Sequence, residues 1–237
     1  MTLRTHAARA VVALSPSLRW RVRNLVALGR WLRLSAAGEG ERSDPYADAF
    51  WDFHQGGDWS GLADLVLRYC APRSLVDLGC GDGKFLAAVR VLDEKAKVLG
   101  IDSSRAALAR ARQLGLPVEL WDLSFWRSRE TKRLGRRIAG FDVAVSLETA
   151  EHLPPWSGAS LIRILTQGRM VVFSAAHPGQ GGTLHMNERP FEYWRGQFAA
   201  CGFQPSGFDA AFRDAVRTLD LPWWYGANIH VFERAAP

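Results

Sequence analysis

Short apolar runs alternate with segments of helical periodicity through the middle of the chain. The runs rich in aliphatic and β-branched residues are 74–78, 97–101, 117–121, 142–147 and 169–175. The segments with helical spacing between them are 84–92, 104–113, 125–136 and 157–167. Strands that alternate with helices of this length predict right-handed β-α-β units around a parallel sheet.

The pattern changes after residue 187. Helical spacing predicts a helix over 190–201, and two further apolar runs predict late strands near 204–208 and 227–233. These elements extend the α/β unit to the end of the chain.

The first 43 residues carry almost all of the excess charge. They hold eight Arg and two Glu, a net charge of +6, whereas residues 44–237 hold 22 basic and 22 acidic groups. A nucleic-acid-binding domain is expected to have a basic groove, so this balance argues against nucleic acid as a partner. We divide the chain into a basic amphipathic segment with a linker, 1–43, and a globular domain, 44–237.

An amphipathic helical extension is predicted within the basic segment. Its apolar arc is Leu18, Val22, Leu25, Val26, Leu28 and Leu32, and the flanking arginines are Arg19, Arg23, Arg30 and Arg33. Such a helix packs on its own domain or on a second subunit, or makes a peripheral contact with an anionic membrane. Arg21, which lies against the arc, favours packing.

The cysteine content indicates a reducing compartment. The three cysteines are widely spaced, odd in number and free of any C-x-x-C motif, which is typical of a cytoplasmic protein without disulfides. The N-terminal segment has no uninterrupted run of the about 20 apolar residues that a transmembrane helix needs. No pattern indicates a particular oligomeric state.

A glycine-rich turn follows the first predicted strand in "LVDLGCGDGKF", residues 75–85. Its glycines are Gly79, Gly81 and Gly83. A phosphate-binding P-loop needs different spacing and a Ser or Thr after its Lys, and a dinucleotide site needs a glycine where this chain has Lys84. The loop therefore fits neither kind of phosphate site.

Carboxylates stand at the ends of three successive predicted strands. Asp77 and Asp82 flank the glycine turn, where they would repel a pyrophosphate and attract a cation. Asp102, followed by Ser103, ends the second strand at a position suited to ribose hydroxyls, and Asp122 ends the third, where it can accept from an adenine amino group. S-Adenosylmethionine carries a sulfonium and an ammonium and no phosphate, so it fits this set.

The stretches "LVDLGCGDG", "VLGID", "ELWD" and "FDVAVSLETAEHL" resemble, in this order, a class I S-adenosylmethionine-dependent methyltransferase. The resemblance implies a Rossmann-like, doubly wound, seven-stranded sheet with an antiparallel final hairpin. It also implies which residues contact the cofactor: Asp77, Gly79 and Gly81 at the methionine moiety, Asp102 with Ser103 at the ribose, and Asp122 with Leu123 at the adenine.

A second group of polar residues follows the fourth predicted strand in "SLETAEHLP". Glu148, Glu151 and His152 share one face of a helical turn, and His185 follows the fifth strand. The pattern E-x-x-E-H followed by a later His is similar to small-RNA 3′-terminal 2′-O-methyltransferases, where such a quartet binds a divalent metal. Ubiquinone-pathway O-methyltransferases carry the E-x-x-E-H part. The resemblance implies that the quartet binds Mg²⁺ or Mn²⁺.

The catalytic candidates are Glu151, His152 and His185, and the alternative without metal is His152 or His185 as general base. Aromatic residues suit the wall of an acceptor pocket, and Trp51 and Tyr225 are the predicted ones. His177, in the glycine-rich loop 177–185, is a further candidate for acceptor contact.

The predicted function is metal-assisted O-methylation of one of two vicinal hydroxyls on a small molecule. A sugar or glycosylated natural product is the favoured acceptor, ahead of a catechol and of a terminal RNA ribose. Two other interpretations stay open: metal-free N-methylation of a small amine, and a non-catalytic relative that binds the cofactor.

Overall fold

The computed structural model describes residues 16–36, 56–124 and 128–236, so Trp51 lies outside the described residues. The helices are α1 (Pro16–Ala36), α2 (Trp59–Cys70), α3 (Lys84–Leu92), α4 (Arg105–Gln113), α5 (Ser128–Ile138), α6 (Gly158–Leu165), α7 (Phe191–Ala199), α8 (Asp209–Val216) and α9 (Trp223–Asn228). The strands are β1 (Ser74–Leu78), β2 (Lys97–Asp102), β3 (Val118–Leu120), β4 (Val143–Ser146), β5 (Met170–Phe173), β6 (Phe203–Pro205) and β7 (His230–Arg234). A single 3₁₀ turn, Ala150–His152, follows β4.

The strands form one seven-stranded sheet in the order β3-β2-β1-β4-β5-β7-β6. Strands β1 to β5 are parallel to one another, and β7 is antiparallel to both β5 and β6. Helices cover both faces. This arrangement confirms the predicted Rossmann-like, doubly wound fold with an antiparallel final hairpin and an N-terminal helix.

The inner strands are apolar on both faces because both faces are covered. Val76 and Leu78 of β1 pack in a cluster with α5, α6 and α7, whereas Leu75 of the same strand packs on the opposite side with α2 and α3. This two-sided burial explains the nearly continuous apolar runs in the sequence. Hydrophobic burial on both sides fixes the carboxyl ends of β1 and β4, from which the functional loops leave.

The region after β6 differs from the prediction. Helices α8 and α9 were not predicted, and α9 occupies residues where the sequence suggested the start of a strand. Pro222 caps α9 with a φ of −50°, which is suited to a helix start. Asp209 ties α8 to β7, because its carboxylate accepts from Val231 N–H at 2.7 Å and lies 3.0 Å from His230 Nδ1.

Helix α1 packs on the domain through a polar residue. Asn24 is 8% exposed. In the amide orientation that satisfies both groups, it donates to the His185 carbonyl oxygen at 3.2 Å and accepts from Glu188 N–H at 3.2 Å. Trp31 adds an edge contact with Trp156, with ring centroids 6.0 Å apart.

The apolar arc predicted for α1 is largely turned to solvent. Leu25 and Val26 are 67% and 65% exposed, because the hydrogen bonds of Asn24 orient the opposite side of the helix toward the domain. None of the described helices is long and apolar enough to cross a membrane. Peripheral membrane contact through this helix stays a prediction.

Candidate functional site

Two loops meet at the carboxyl edge of the sheet where the strand order reverses between β1 and β4. Ligands of open α/β sheets bind in this crevice. The glycine loop follows β1, and the turn Ala150–His152 follows β4. Gly79 has a φ of +88°, and a Cβ atom there would lie 2.1 Å from Thr149 Oγ1. The two loops therefore touch directly at Gly79.

Asp77 places a buried carboxylate under the glycine loop. It is 4% exposed, and its Oδ1 atom finds no hydrogen-bond partner in the part of the chain that the structure describes. Burial, followed by the charge of Asp102, raises the pKa of Asp77 to about 8. A buried carboxylate without a partner is costly unless a cation or donor reaches it. The ammonium of S-adenosylmethionine fits that requirement.

Asp102 connects the glycine loop to the end of β2. Its Oδ2 atom accepts from Gly81 N–H at 2.9 Å, and its Oδ1 atom accepts from Ser104 N–H at 2.8 Å. Ser103 is exposed beside it. The proposed ribose contact stays a prediction, and the geometry shows that Asp102 also shapes the loop itself.

Asp122 and Leu123 follow β3 and have different environments. Asp122 is exposed and accepts from Ser124 N–H at 2.8 Å and from the Ser124 hydroxyl, whereas Leu123 is buried. Asp122 therefore stabilises its own turn, and its adenine contact stays a prediction.

Glu151, His152 and His185 form a compact group, which we call the acid–imidazole triad. One potential ligand atom from each lies within 4.8 Å of the others. Glu151 is fully buried, and neither of its carboxylate oxygens has a hydrogen-bond partner among the described residues. Burial, with the charge of Glu148 next, holds the pKa of Glu151 well above its usual range. These orphaned oxygens fit a cation.

Backbone hydrogen bonds bring His185 to the turn after β4. The N–H groups of Met186 and Asn187 both donate to the carbonyl oxygen of Glu151, at 2.9 and 3.0 Å. The imidazoles of His152 and His185 consequently meet edge to face, with centroids 4.7 Å apart and planes at 87°. The triad is thus assembled by the main chain and does not depend on its own side-chain contacts.

Glu188 orients His185. Its Oε1 atom lies 3.2 Å from His185 Nδ1, and its carboxylate also accepts from the N–H groups of Gly179 and Gly181 at 2.8 and 2.7 Å. Burial alone would raise the pKa of Glu188, but these hydrogen bonds lower it below its usual value. An acceptor at Nδ1 leaves Nε2 as the ligand nitrogen of His185.

Gly182 leaves room beside that nitrogen. A Cβ atom built on Gly182 would lie 2.2 Å from His185 Nε2. The possible ligands are one carboxylate and two imidazoles, and Glu188 orients one of those imidazoles. Such a set suits a divalent metal with mixed oxygen and nitrogen ligands. The residues present therefore fit the predicted metal.

Glu148 lies beside the triad, and its charge acts on Glu151. Its carboxylate accepts from Asn228 Nδ2 at 3.1 Å and from Gln180 Nε2 at 3.0 Å, and burial raises its pKa despite these bonds. Its φ of +47° is uncommon for a residue other than glycine, and such backbone strain concentrates at functional sites. The structure brings three of the four predicted ligands together, and the ligand role of Glu148 stays a prediction.

Tyr225 and His177 lie in different places. Burial raises the pKa of Tyr225, and the negative charges of Glu148 and Glu151 add to that rise. His177 is half-buried, and burial, followed by the charge of His230, lowers its pKa. His177 thus neighbours His230, which is not part of the triad, and its substrate role stays a prediction.

Three polar residues of the site were missed by sequence reasoning. Glu188, Gln180 and Asn228 hold the loop 177–185 against the turn after β4. Only Glu188 could have been predicted from the sequence, because a carboxylate three residues after a candidate ligand histidine can accept a hydrogen bond from that histidine.

Comparisons with known proteins agree with this geometry. Residues 76–166 match the family described as methyltransferase domain. The curated ubiquinone biosynthesis O-methyltransferase of Alkalilimnicola ehrlichii is 32% identical over 143 residues, which is 55% of this chain and 56% of that protein. The chain thus matches about half the length of this relative.

Solved structures of low sequence identity share the fold. The sugar N-methyltransferase KedS8 from Streptoalloteichus sp. ATCC 53650 is 16% identical with a TM-score of 0.55, and the match covers 79% of this chain and 92% of that one. CalS10, an amino pentose methyltransferase from Micromonospora echinaspora solved with bound S-adenosylmethionine, is 16% identical with a TM-score of 0.55 and coverages of 79% and 96%. Residues 76–166 therefore carry a methyltransferase domain, and the glycine loop and the sheet order resemble those of class I S-adenosylmethionine-dependent methyltransferases.

Proposed function

We propose that the protein transfers a methyl group from S-adenosylmethionine to one of two vicinal hydroxyls of a small molecule, with the help of Mg²⁺ or Mn²⁺. The buried, unpartnered carboxylate of Glu151 beside two imidazoles carries the proposal. A buried carboxylate without a partner destabilises the ligand-free fold, and such groups are expected at functional sites.

The cofactor loop and the triad are positioned for a displacement reaction. Gly79 touches the Thr149 side of the turn that carries Glu151 and His152, so an acceptor at the triad lies next to the donor crevice. In the reaction the hydroxyl oxygen bonds to the methyl carbon, the carbon–sulfur bond breaks, and S-adenosylhomocysteine leaves. Binding both partners in one crevice supplies proximity and orientation.

The hydroxyl must also lose its proton. Burial holds the pKa of Glu151 well above its usual range, so in the absence of a metal its carboxylate takes up a proton more readily than an exposed Glu would. His152 is half-buried and can pass that proton to solvent. A divalent ion held by Glu151, His152 and His185 would lower the pKa of a hydroxyl group of the acceptor.

A sugar or glycosylated natural product is the acceptor that we favour. Two neighbouring hydroxyls offer a bidentate grip that selects one oxygen. The O-methyltransferase relative supports oxygen as the methylated atom, and the sugar N-methyltransferase of the same fold in Streptoalloteichus supports a sugar as the acceptor. A catechol is the second candidate, because Tyr225 and Trp59, with ring centroids 5.4 Å apart, provide aromatic surface near the triad.

A methyl-transfer screen tests the proposal. Cofactor labelled in the methyl group is incubated with sugars, catechols and amines after EDTA treatment, with and without added Mg²⁺ or Mn²⁺. We expect transfer to a vicinal diol that EDTA abolishes and metal restores, and that Glu151→Ala and His185→Ala lose. Turnover that is indifferent to chelation would remove the metal, and a product methylated on nitrogen would remove the oxygen acceptor.

A further inference from the structure

A cavity of about 530 Å³ lies between α1 and the loop that carries His185. One wall is a single face of α1, and the other is the segment around His185. Its lining residues are Val22, Arg23, Val26, Ala27, Arg30, Gly181, Gly182, Leu184, His185 and Glu188. This volume suits a small-molecule site, which typically measures about 300–1,000 Å³. Helix α1 therefore forms one wall of a cavity that His185 also lines.

Helix α1 is fixed over this cavity by directed contacts. Asn24 is buried between the His185 carbonyl oxygen and Glu188 N–H, and Trp31 rests on Trp156 at the other end of the helix. Both backbone partners of Asn24 belong to the residues that form and orient the triad. The position of α1 is therefore tied to the position of His185.

The charges in the cavity are not balanced. Arg23 and Arg30 are seven residues apart, so they lie on the same face of α1, about 10 Å from each other along the helix axis. Among the described residues, neither makes an ion pair. Among the described lining residues Glu188 is the one carboxylate, and it is already hydrogen bonded by His185 and two backbone N–H groups. Within the described part of the chain, Arg23 and Arg30 therefore line the cavity without a carboxylate paired to either.

We propose that the acceptor carries an anionic group, a carboxylate or a phosphate, that binds Arg23 and Arg30 of α1 while its hydroxyls reach the triad. This inference rests on the proposed function and names the substrate class of the same site. Guanidinium groups bind both anions through paired N–H donors. The apolar side chains Val22, Ala27 and Leu184 leave the body of the acceptor a surface for contact.

The test uses three sugars that share a ring and differ at one carbon: glucose, glucuronate and glucose 6-phosphate. Their binding to the full chain, saturated with S-adenosylhomocysteine, is measured by calorimetry. The proteins are the wild type, the double variant R23Q/R30Q and the control Arg33→Gln, which removes one charge from the same helix outside the cavity. Thermal melting verifies that all three are folded.

We expect at least one anionic sugar to bind the wild type and the control at least ~10-fold more tightly than glucose, the size of a charge-assisted hydrogen bond. The double variant should lose that preference. Tighter binding of glucose 6-phosphate identifies a phosphate, and tighter binding of glucuronate identifies a carboxylate. Equal preferences in all three proteins, or no binding of either anionic sugar, would overturn the inference. Calorimetry needs no turnover, so failure of the proposed function would show separately, as absence of methyl transfer in the screen.

Discussion

His185 Nδ1 and Glu188 Oε1 lie 3.2 Å apart inside the protein, and the same carboxylate holds two N–H groups of the loop 177–185. The Glu188 side chain therefore fixes both the ring orientation of His185 and the conformation of the loop 177–185. A carboxylate behind a metal-binding imidazole commonly contributes as much to affinity as a weak ligand does.

Substituting Glu188→Gln should weaken both metal binding and turnover. The amide has the shape of the carboxylate, but its NH₂ group would face a backbone N–H, so one of the three hydrogen bonds is lost. We expect a loss of about 10- to 100-fold in Mn²⁺ affinity, measured by calorimetry on chelated and dialysed protein. Glu192→Gln, an exposed carboxylate four residues later, is the control. Unchanged affinity in both variants would show that Glu188 only shapes the loop.

Glu151→Gln should stabilise the metal-free protein at alkaline pH. Burial raises the pKa of Glu151 well above that of an ordinary glutamate, about 4.3, so the folded state holds a proton that the unfolded state releases. Stability contributed by this site is therefore lost as pH rises above that value. At pH 8 we expect the EDTA-treated variant to gain about 1–3 kcal/mol, or roughly 5 °C in Tm.

The comparison is made by thermal melting at pH 5 and pH 8, with Glu94→Gln as the exposed control. The difference between Glu151→Gln and the wild type should shrink at pH 5. A variant that melts below the wild type at pH 8 would contradict an unpartnered carboxylate at this position.

Cofactor affinity should rise with pH up to about pH 8. Because burial and Asp102 raise the pKa of Asp77 to about 8, the carboxyl group is mostly protonated at pH 6 and must ionise to receive an ammonium. Affinity should fall about tenfold for each pH unit below that pKa, and proton release should accompany binding. Calorimetry in buffers of different ionisation enthalpy measures both. Asp77→Asn should bind weakly and without this pH dependence, and a flat wild-type profile would argue against the ammonium contact.

Gly79→Ala should damage the site more than an equally strained substitution elsewhere. Gly79 and Gly140 have φ values of +88° and +92°, so both pay a similar backbone penalty with alanine, of about 1–2 kcal/mol. Only at Gly79 would the new Cβ meet Thr149, at 2.1 Å, whereas at Gly140 nothing lies within 4 Å. We expect Gly79→Ala to lose cofactor binding in calorimetry, and Gly140→Ala to retain it. Similar binding by the two variants would mean that the loops are free to separate.

The parallel strands were predictable because each is determined by a short stretch of the sequence. Apolar runs buried on both faces mark β1, β2, β4 and β5, and α3 was predicted at its observed bounds, Lys84–Leu92. Helices α8 and α9 were missed because they are short and depend on tertiary partners such as the Asp209 bond to β7. Glu151 and His152 were predicted as candidates from their spacing after β4 and His185 from the resemblance, whereas Asn228 and Gln180 became visible only when distant segments met at Glu148.

The packing of α1 on the domain through Asn24 has a consequence for N-terminal truncation of the protein. A shortened version beginning near residue 56 would keep the whole sheet and the donor loop, and it would look intact in a melting curve. It would also lack the wall that α1 provides to the cavity beside His185. We expect such a truncation to bind S-adenosylmethionine and to lose its affinity for the acceptor.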